Sequence, residues 1–346
     1  MSKQAIRLSI AERQLKSGLT LLAVHNPGVQ TYACVASLDV RMGSEDPRFP
    51  GLTNMVGECL DEGTRNHDAL SLSSAAENLG AMLEGNHRGG VVMCPATSQK
   101  KATALLREMV LEPTFPQREV RRVQNEVMSE IQAEADDPRT VAARRFRKEI
   151  YGDHPLGRPS QGTVEQVAAI KPKHLRNFHK TWFQPGNGYI AASGPFELED
   201  MLDRLERTFG GFRGKSPEHT PLPELALASK SCNVHLPMPR EQVHVFLGHL
   251  GVRRTDPDFY KLSVMDHILG TGPGFTSRCA RKLRDEMGLC YSVSAGIAGS
   301  AGEEPGTFTA YIGASAENRE KAVDGFLKEI RLIRKELPSE SELQDV

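Results

Sequence analysis

VASLDVRMGSEDPRFPGLTNMVGECL, running from Val35 to Leu60, carries the pattern on which the fold turns. It opens as a strand, turns at Asp46-Pro47, and continues as a helix with Leu52, Met55, Val56, Cys59 and Leu60 on one face. The same order returns in VFLGHLGVRRTDPDFYKLSVMDHIL, Val245 to Leu269, with Asp256-Pro257 at the turn and Leu262, Met265, Ile268 and Leu269 along the helix. Asp256 stands 210 residues after Asp46. A second pair follows: VVMCPATSQKKATALLREMV (91–110) is a strand entering an amphipathic helix, and FTAYIGASAENREKAVDGFLKEI (308–330) repeats it, with Ala322 falling 220 residues after Ala102. Recurrence of ordered features at a near-constant spacing is the signature of an internal duplication.

Working outward, GKSPEHTPLPELALAS (214–229) sets Pro217, Pro221 and Pro223 between the two copies, as a linker would, and puts the boundary near 215–230. The expected organisation is a first lobe over 1–214, a linker over 215–230 and a second lobe over 231–346. Within the first lobe the chain continues past Gln124 through a long helix with Val127, Ile131 and Ala135 on one face. It then passes the loop YGDHPLGRP, another helix and the strand GYIAASG. In the second lobe Pro338 matches Pro116 and Val346 stands level with Val123, so the copy is expected to be cut short by roughly 90 residues. Strands and helices mixed in this order predict an α+β fold of two homologous lobes, each a mostly antiparallel sheet covered by helices.

Composition narrows the function. The 346 residues carry 43 Lys+Arg against 44 Asp+Glu, with 39% hydrophobic and 25% charged residues, which argues against nucleic acid as a partner. Six cysteines (34, 59, 94, 232, 279 and 290) lie far apart, without a CxxC pair or a dense disulfide framework, and favour a reducing, cytoplasmic compartment. The N-terminal stretch breaks every apolar run with a charge, and no eighteen consecutive apolar residues occur anywhere. Neither a signal peptide nor a membrane span is expected.

The segment GSEDPRFPGLTNMVGECLDEGT resembles the signature of the pitrilysin/insulinase-type peptidases, the inverzincins, which carry H-x-x-E-H between G-L and L-x-x-G-T. The resemblance continues through SEIQAEADDP, YGDHPLGRPSQGT and WFQPGN, and through GTGPGFTSRCARKLRDEMGLCYSVSAG in the second lobe, covering nearly the whole chain. In H-x-x-E-H two histidines one helical turn apart hold Zn²⁺ and the Glu acts as general base on the metal-bound water. Here those positions read Asn54, Gly57 and Glu58, while the later glutamate ligand of the family maps onto Glu130. Asn is a poor zinc ligand and Gly57 has no side chain to accept a proton, so no metal is expected in this chain. A set made of Glu58, Glu130 and His87 is the one conceivable substitute, and it lacks an evident base.

The resemblance implies a different role for the second lobe. RKLRDEMGLCYSVSA reads as a helix ended by Gly288 and then a strand presenting Tyr291. Arg284 and Tyr291 match the Arg and Tyr that, in this family, reach toward the substrate backbone beside the zinc. A guanidinium and a phenol can both stabilise a carbonyl oxygen as it gains negative charge. The stretch from Ala81 through Met82, Leu83, Glu84 and Gly85 to His87 matches the family's edge strand, to which a peptide adds as a further strand. Gly270 to Arg278 is glycine-rich but lacks the phosphate-loop spacing, and is expected to be a connection opening a helix.

The reading that follows is a non-catalytic, peptide-binding subunit of a heterodimeric zinc peptidase. The partner is a homologous chain with intact H-x-x-E-H that holds the zinc and takes Arg284 and Tyr291 into its active site, and the substrate is unfolded peptide. The alternatives are a structural scaffold resembling the core subunits of respiratory complexes, or an autonomous hydrolase with a rebuilt metal site, which Gly57 disfavours.

Overall fold

The computed structural model describes residues 8–215, 217–225, 230–273 and 276–344. They fall into two compact units, residues 1–132 with 159–221, and residues 133–158 with 222–346. Residue 216 and residues 226–229 of the expected linker, and residues 274 and 275 of the glycine-rich loop, lie outside the described residues.

The first unit is built on a six-stranded sheet. Its strands are β1 (Ser9–Gln14), β2 (Thr20–His25), β3 (Thr31–Ser37), β4 (Met82–Asn86), β5 (Gly89–Pro95) and β6 (Tyr189–Gly194), in the order β1-β2-β6-β3-β5-β4. Only β2 and β6 run parallel; every other neighbour is antiparallel. Period-2 alternation decides which side chains meet the core: along β3, Tyr32, Cys34 and Ala36 are all buried. Helices α1 (Leu52–Glu58), α2 (Ala69–Glu77), α3 (Gln99–Leu111) and α4 (Gln117–Ala135) lie in this part of the chain. All five residues of the expected α1 stripe, Leu52, Met55, Val56, Cys59 and Leu60, belong to one core with β3, β5 and α3. On α4, Val120, Val123, Val127 and Ile131 are buried. Ala135, expected on the same face, is exposed, because the helix has by then passed Gln132, where the chain leaves the first unit.

Residues 133–158, which the sequence places in the first lobe, cluster with the second unit. They hold α5 (Pro138–Tyr151), started by an Asp137 cap that accepts from the Thr140 N–H. Its apolar and aromatic side chains find their partners at great sequence distance: Phe146 packs on Phe246, Arg139 sits over the Tyr311 ring, and the Tyr151 hydroxyl donates to the Pro305 carbonyl. The chain returns to the first unit through α6 (Val164–Ala169), α7 (Pro172–Trp182), β6 and α8 (Leu198–Phe209).

The second unit has an antiparallel sheet of β7 (Gln242–Leu250), β8 (Cys290–Gly296) and β9 (Thr307–Ser315), in the order β7-β9-β8. This is the β3-β5-β4 order of the first unit, so the sequence duplication is also a duplication of topology. Helix α9 (Phe259–Asp266) takes the place of α1 after the turn, and α10 (Arg319–Lys335) follows β9 as α3 follows β5; α11 (Glu340–Gln344) comes last. Ile268 and Leu269 are buried, whereas Leu262 and Met265 are half-buried. They sit in and beside a π-helical turn, His267–Thr271, where the wider winding lets Gly270 approach the Ala295 backbone so closely that a Cβ would lie 2.2 Å from its nitrogen. Asp266 is buried there and accepts from the Ile297 and Ala298 N–H groups at 2.9 and 2.7 Å, tying the helix to the end of β8. Removing that carboxylate leaves two interior N–H groups without an acceptor, so Asp266→Ala should lower the unfolding free energy by about 2–3 kcal/mol, read as a drop in the urea midpoint at unchanged slope.

Candidate functional site

Helix α1 opens on Gly51, held at φ +89, and its buried stripe rotates Asn54, Gly57 and Glu58 away from the Leu52/Met55/Val56 core contact. Gly57 is nevertheless buried, because it faces the edge strand β4. A Cβ on residue 57 would lie 2.6 Å from the His87 backbone nitrogen and 2.8 Å from the Asn86 carbonyl carbon. The contact is mutual: a Cβ on Gly85 would lie 2.9 Å from the Gly57 carbonyl oxygen and 2.9 Å from the Leu60 Cβ. Helix and strand therefore meet backbone to backbone across two glycines. Residue 57 has no side chain, and the strand occupies the space one would start from.

Glu58 points out of this contact, and Glu130 approaches it from α4. Partial burial, reinforced by the Glu130 charge, raises the Glu58 carboxyl above the ordinary range. Asp61 adds to the negative field: burial pushes it up to about 6, with Glu62 and Glu58 contributing. Arg122 answers the cluster in part, bridging to Glu62, to Glu119 at 3.1 Å and to Glu126 at 2.8 Å.

Zinc does not fit this arrangement. The donor set has one amide, one glycine and two carboxylates that already repel each other. The His87 ring is held below the usual imidazole range by its own burial and by Arg88. Among the described residues no group of three or more His, Cys, Asp and Glu side chains is arranged to hold a metal ion. The rebuilt set of Glu58, Glu130 and His87 therefore has no geometric support. Other histidines have ordinary partners: His174 packs on Phe49, His179 Nε2 bonds the Val110 carbonyl at 2.8 Å, and His244 Nδ1 bonds the Tyr311 hydroxyl at 3.0 Å. All six cysteines are free.

Strand β4 holds Met82, Leu83, Glu84 and Gly85, with Ala81 just before it. Among the described residues it is paired on one side only, to β5 from Met82↔Met93 to Asn86↔Gly89. Its other side is the edge of the sheet. The second unit contains the equivalent edge strand, β8, and it is not regular. Cys290 pairs with Ala314 and Ser292 with the adjacent Gly313, so Tyr291 is the extra residue of a β-bulge. The bulge turns a side chain that a regular strand would direct to one face of the sheet outward, and Tyr291 is 91% exposed. Arg284 lies on the π-helical segment Ala280–Glu286, which precedes Gly288 at φ +61, and its Nε donates to Asp285 at 2.9 Å. Its charge reaches Cys290: burial pushes that thiol up to about 11, and Arg284 opposes the rise. No sequence signal marks a bulge here, nor the approach of residue 57 to residue 87; Gly57 and Gly85 are visible as glycines, but only the fold pairs them.

With this geometry in hand, residues 22–164 match the insulinase family (peptidase family M16) and residues 169–346 match the peptidase M16 inactive domain. The chain belongs to peptidase family M16. An uncharacterized zinc protease of Streptomyces coelicolor is 27% identical over 314 residues, covering 88% of this chain and 68% of its own length. One from Bacillus subtilis is 23% identical over 342 residues, covering 95% and 80%. The crystal structure of a peptidase M16 inactive domain from Pseudomonas fluorescens superposes with a TM-score of 0.88 at 24% identity, over 98% of this chain and 82% of that one. A protease from Helicobacter pylori gives 0.85 at 16% identity, over 98% and 83%. Asn54, Gly57 and Glu58 lie within the stretch that matches the insulinase family. No helix among the described residues is long and apolar enough to cross a membrane.

Two outcomes follow from the packing. Writing the motif back as Asn54→His, Gly57→Glu and Glu58→His should not yield a chain that retains stoichiometric zinc after dialysis against a mild chelator, as elemental analysis would read. Gly57→Ala alone should destabilise by about 1–3 kcal/mol in chemical denaturation, although alanine is the better helix former by about 1 kcal/mol. Asp61 supplies a pH test. Its folded carboxyl titrates near 6 against an ordinary 3.8, so between these values the folded state holds the extra proton and stability falls as pH rises. Asp61→Asn should remove that slope and stabilise the protein at pH 8 by about 1 kcal/mol, after allowance for solvent screening.

Proposed function

We propose that this chain is a non-catalytic, peptide-binding subunit of a heterodimeric M16 zinc peptidase. Its partner is a homologous chain with intact H-x-x-E-H that holds the zinc, and this chain supplies Arg284 and Tyr291 to the partner's active site. The observation that carries the reading is Tyr291: a bulge in an edge strand that leaves a tyrosine 91% exposed serves no core of its own. A phenol and a guanidinium projected in this way are suited to donate to a peptide carbonyl as it becomes an oxyanion. The Gly57–His87 contact supports the other half of the reading, since it removes both the general base and the room for one. The open edge of β4 supports peptide binding by strand addition, a mode that needs main-chain groups and no metal.

The chain alone should not cleave unstructured peptides. With the partner co-purified, Tyr291→Phe should lower kcat about 10²–10³-fold, in line with the loss of one oxyanion donor, while gel filtration shows unchanged assembly. Arg284→Ala should also raise KM. Glu130→Gln should leave turnover unchanged, because no metal in this chain depends on it. Full activity in the Tyr291→Phe complex would favour a purely structural role, and loss of activity on changing Glu130, with folding intact, would place the working residues in the other unit.

A further inference from the structure

Strand β4 sorts its side chains by face. Leu83 packs on the core at the helix side, and a Cβ on Gly85 would lie 2.9 Å from the Leu60 Cβ. Met82, Glu84 and Asn86 alternate with them, so they stand on the opposite face, and all three are exposed. The register gives their neighbours there. Met82 lies beside Met93 and Glu84 beside Val91, and on β3 the same rows continue with Ala33 and Val35. Met82 and Met93 are each 43% exposed. Glu84 is therefore a charge at the border of a strip that is otherwise Met, Ala and Val, on the strand whose far side is the edge of the sheet.

Among the described residues the Glu84 side chain makes no ion pair and no hydrogen bond. Other acids of this unit are neutralised by their neighbours: Glu199, Asp203 and Glu206 share Arg13, and Glu119 and Glu126 share Arg122. Side chains directly opposite on adjacent strands interact, and opposite charges there attract. An unpaired carboxylate on an open edge is thus complementary to a cation carried by the next strand. A second copy of this chain does not supply one. Pairing two copies of Met82–Asn86 antiparallel sets Glu84 beside Glu84, Met82 or Asn86, and never beside a cation.

We infer that β4 takes an extended peptide with Lys or Arg directly beside Glu84 and an apolar residue two positions away, beside Met82. The main-chain groups of the edge hold the peptide, and Glu84 selects its charge and its register. The inference rests on the peptide-binding part of the proposed function and names the class of peptide.

The test is fluorescence anisotropy of the full chain, without a partner, using labelled Thr/Ser peptides that carry one Leu and, two residues on, Lys, Gln or Glu. The Lys peptide should bind about three- to ten-fold tighter than the Glu peptide at low salt, the range that cross-strand charge pairs allow. Lys moved one residue along faces the other side of the strand and should lose this advantage. Methylating the peptide amides that face β4 should abolish binding, because the edge pairs through the main chain. Glu84 is exposed, so Glu84→Lys should fold normally, which its melting curve checks, and should reverse the preference in favour of the Glu peptide. Glu84→Gln should level it. Glu320→Lys, on α10, should leave it as it was. No saturable binding of any peptide up to about 0.5 mM chain would overturn the peptide-binding reading and this inference with it. Saturable binding with equal affinity for the Lys and Glu peptides, or a Lys preference that survives Glu84→Lys, would overturn the role of Glu84 alone. A chain that runs as a dimer in gel filtration and takes up no peptide would give the edge to a second copy and likewise overturn it.

Discussion

Helix α1 rests on strand β4 without an intervening side chain, and the chemistry open to the first unit follows from that contact. Close packing of backbone on backbone is possible only where both partners lack a Cβ, and Gly57 and Gly85 meet the condition from opposite sides. The approach brings α1 deep enough to bury Met55, Val56 and Leu60 completely. It also leaves residue 57 no room for a side chain.

The duplicated lobe shows what the same architecture does under a different constraint. Strand β8 occupies in the second unit the place of β4 in the first, and a glycine again permits a close helical approach, Gly270 against Ala295. There, however, the edge strand carries an extra residue, and the ladder skips it. A regular edge offers main-chain groups; a bulged one offers a side chain. The two units thus present different groups from equivalent strands, a main-chain edge in one and an exposed phenol in the other.

Electrostatics reinforces the division. Around Glu58 the first unit gathers acids whose mutual repulsion is relieved only partly by Arg122, so the carboxyls of Glu58 and Asp61 stay above their ordinary range. Elsewhere in the same unit, Arg13 draws three α8 carboxylates to one face and leaves cations unneutralised on the next. Neither field follows from the net charge of −1, which averages over both.

Much of this protein was legible in its sequence. The turn signals at Asp46-Pro47 and Asp256-Pro257 and the apolar stripes beside them determined two related α+β lobes, because periodicity and turn chemistry are local properties. Asn54, Gly57 and Glu58 were legible as residue types that differ from H-x-x-E-H, since ligand chemistry belongs to residue type. The placement of residues 133–158 was not legible. The aromatic partners of α5 lie on strands about a hundred or more residues later, and no local pattern encodes them. Ala135 left its expected face for a related reason: helical spacing continues whether or not a core continues beneath it. Likewise only the fold decided that Gly57 has a strand against it and that Tyr291 stands outside its ladder. Each of these is a distance between residues far apart along the chain, which is set by how sheets and helices pack and not by the residues one at a time.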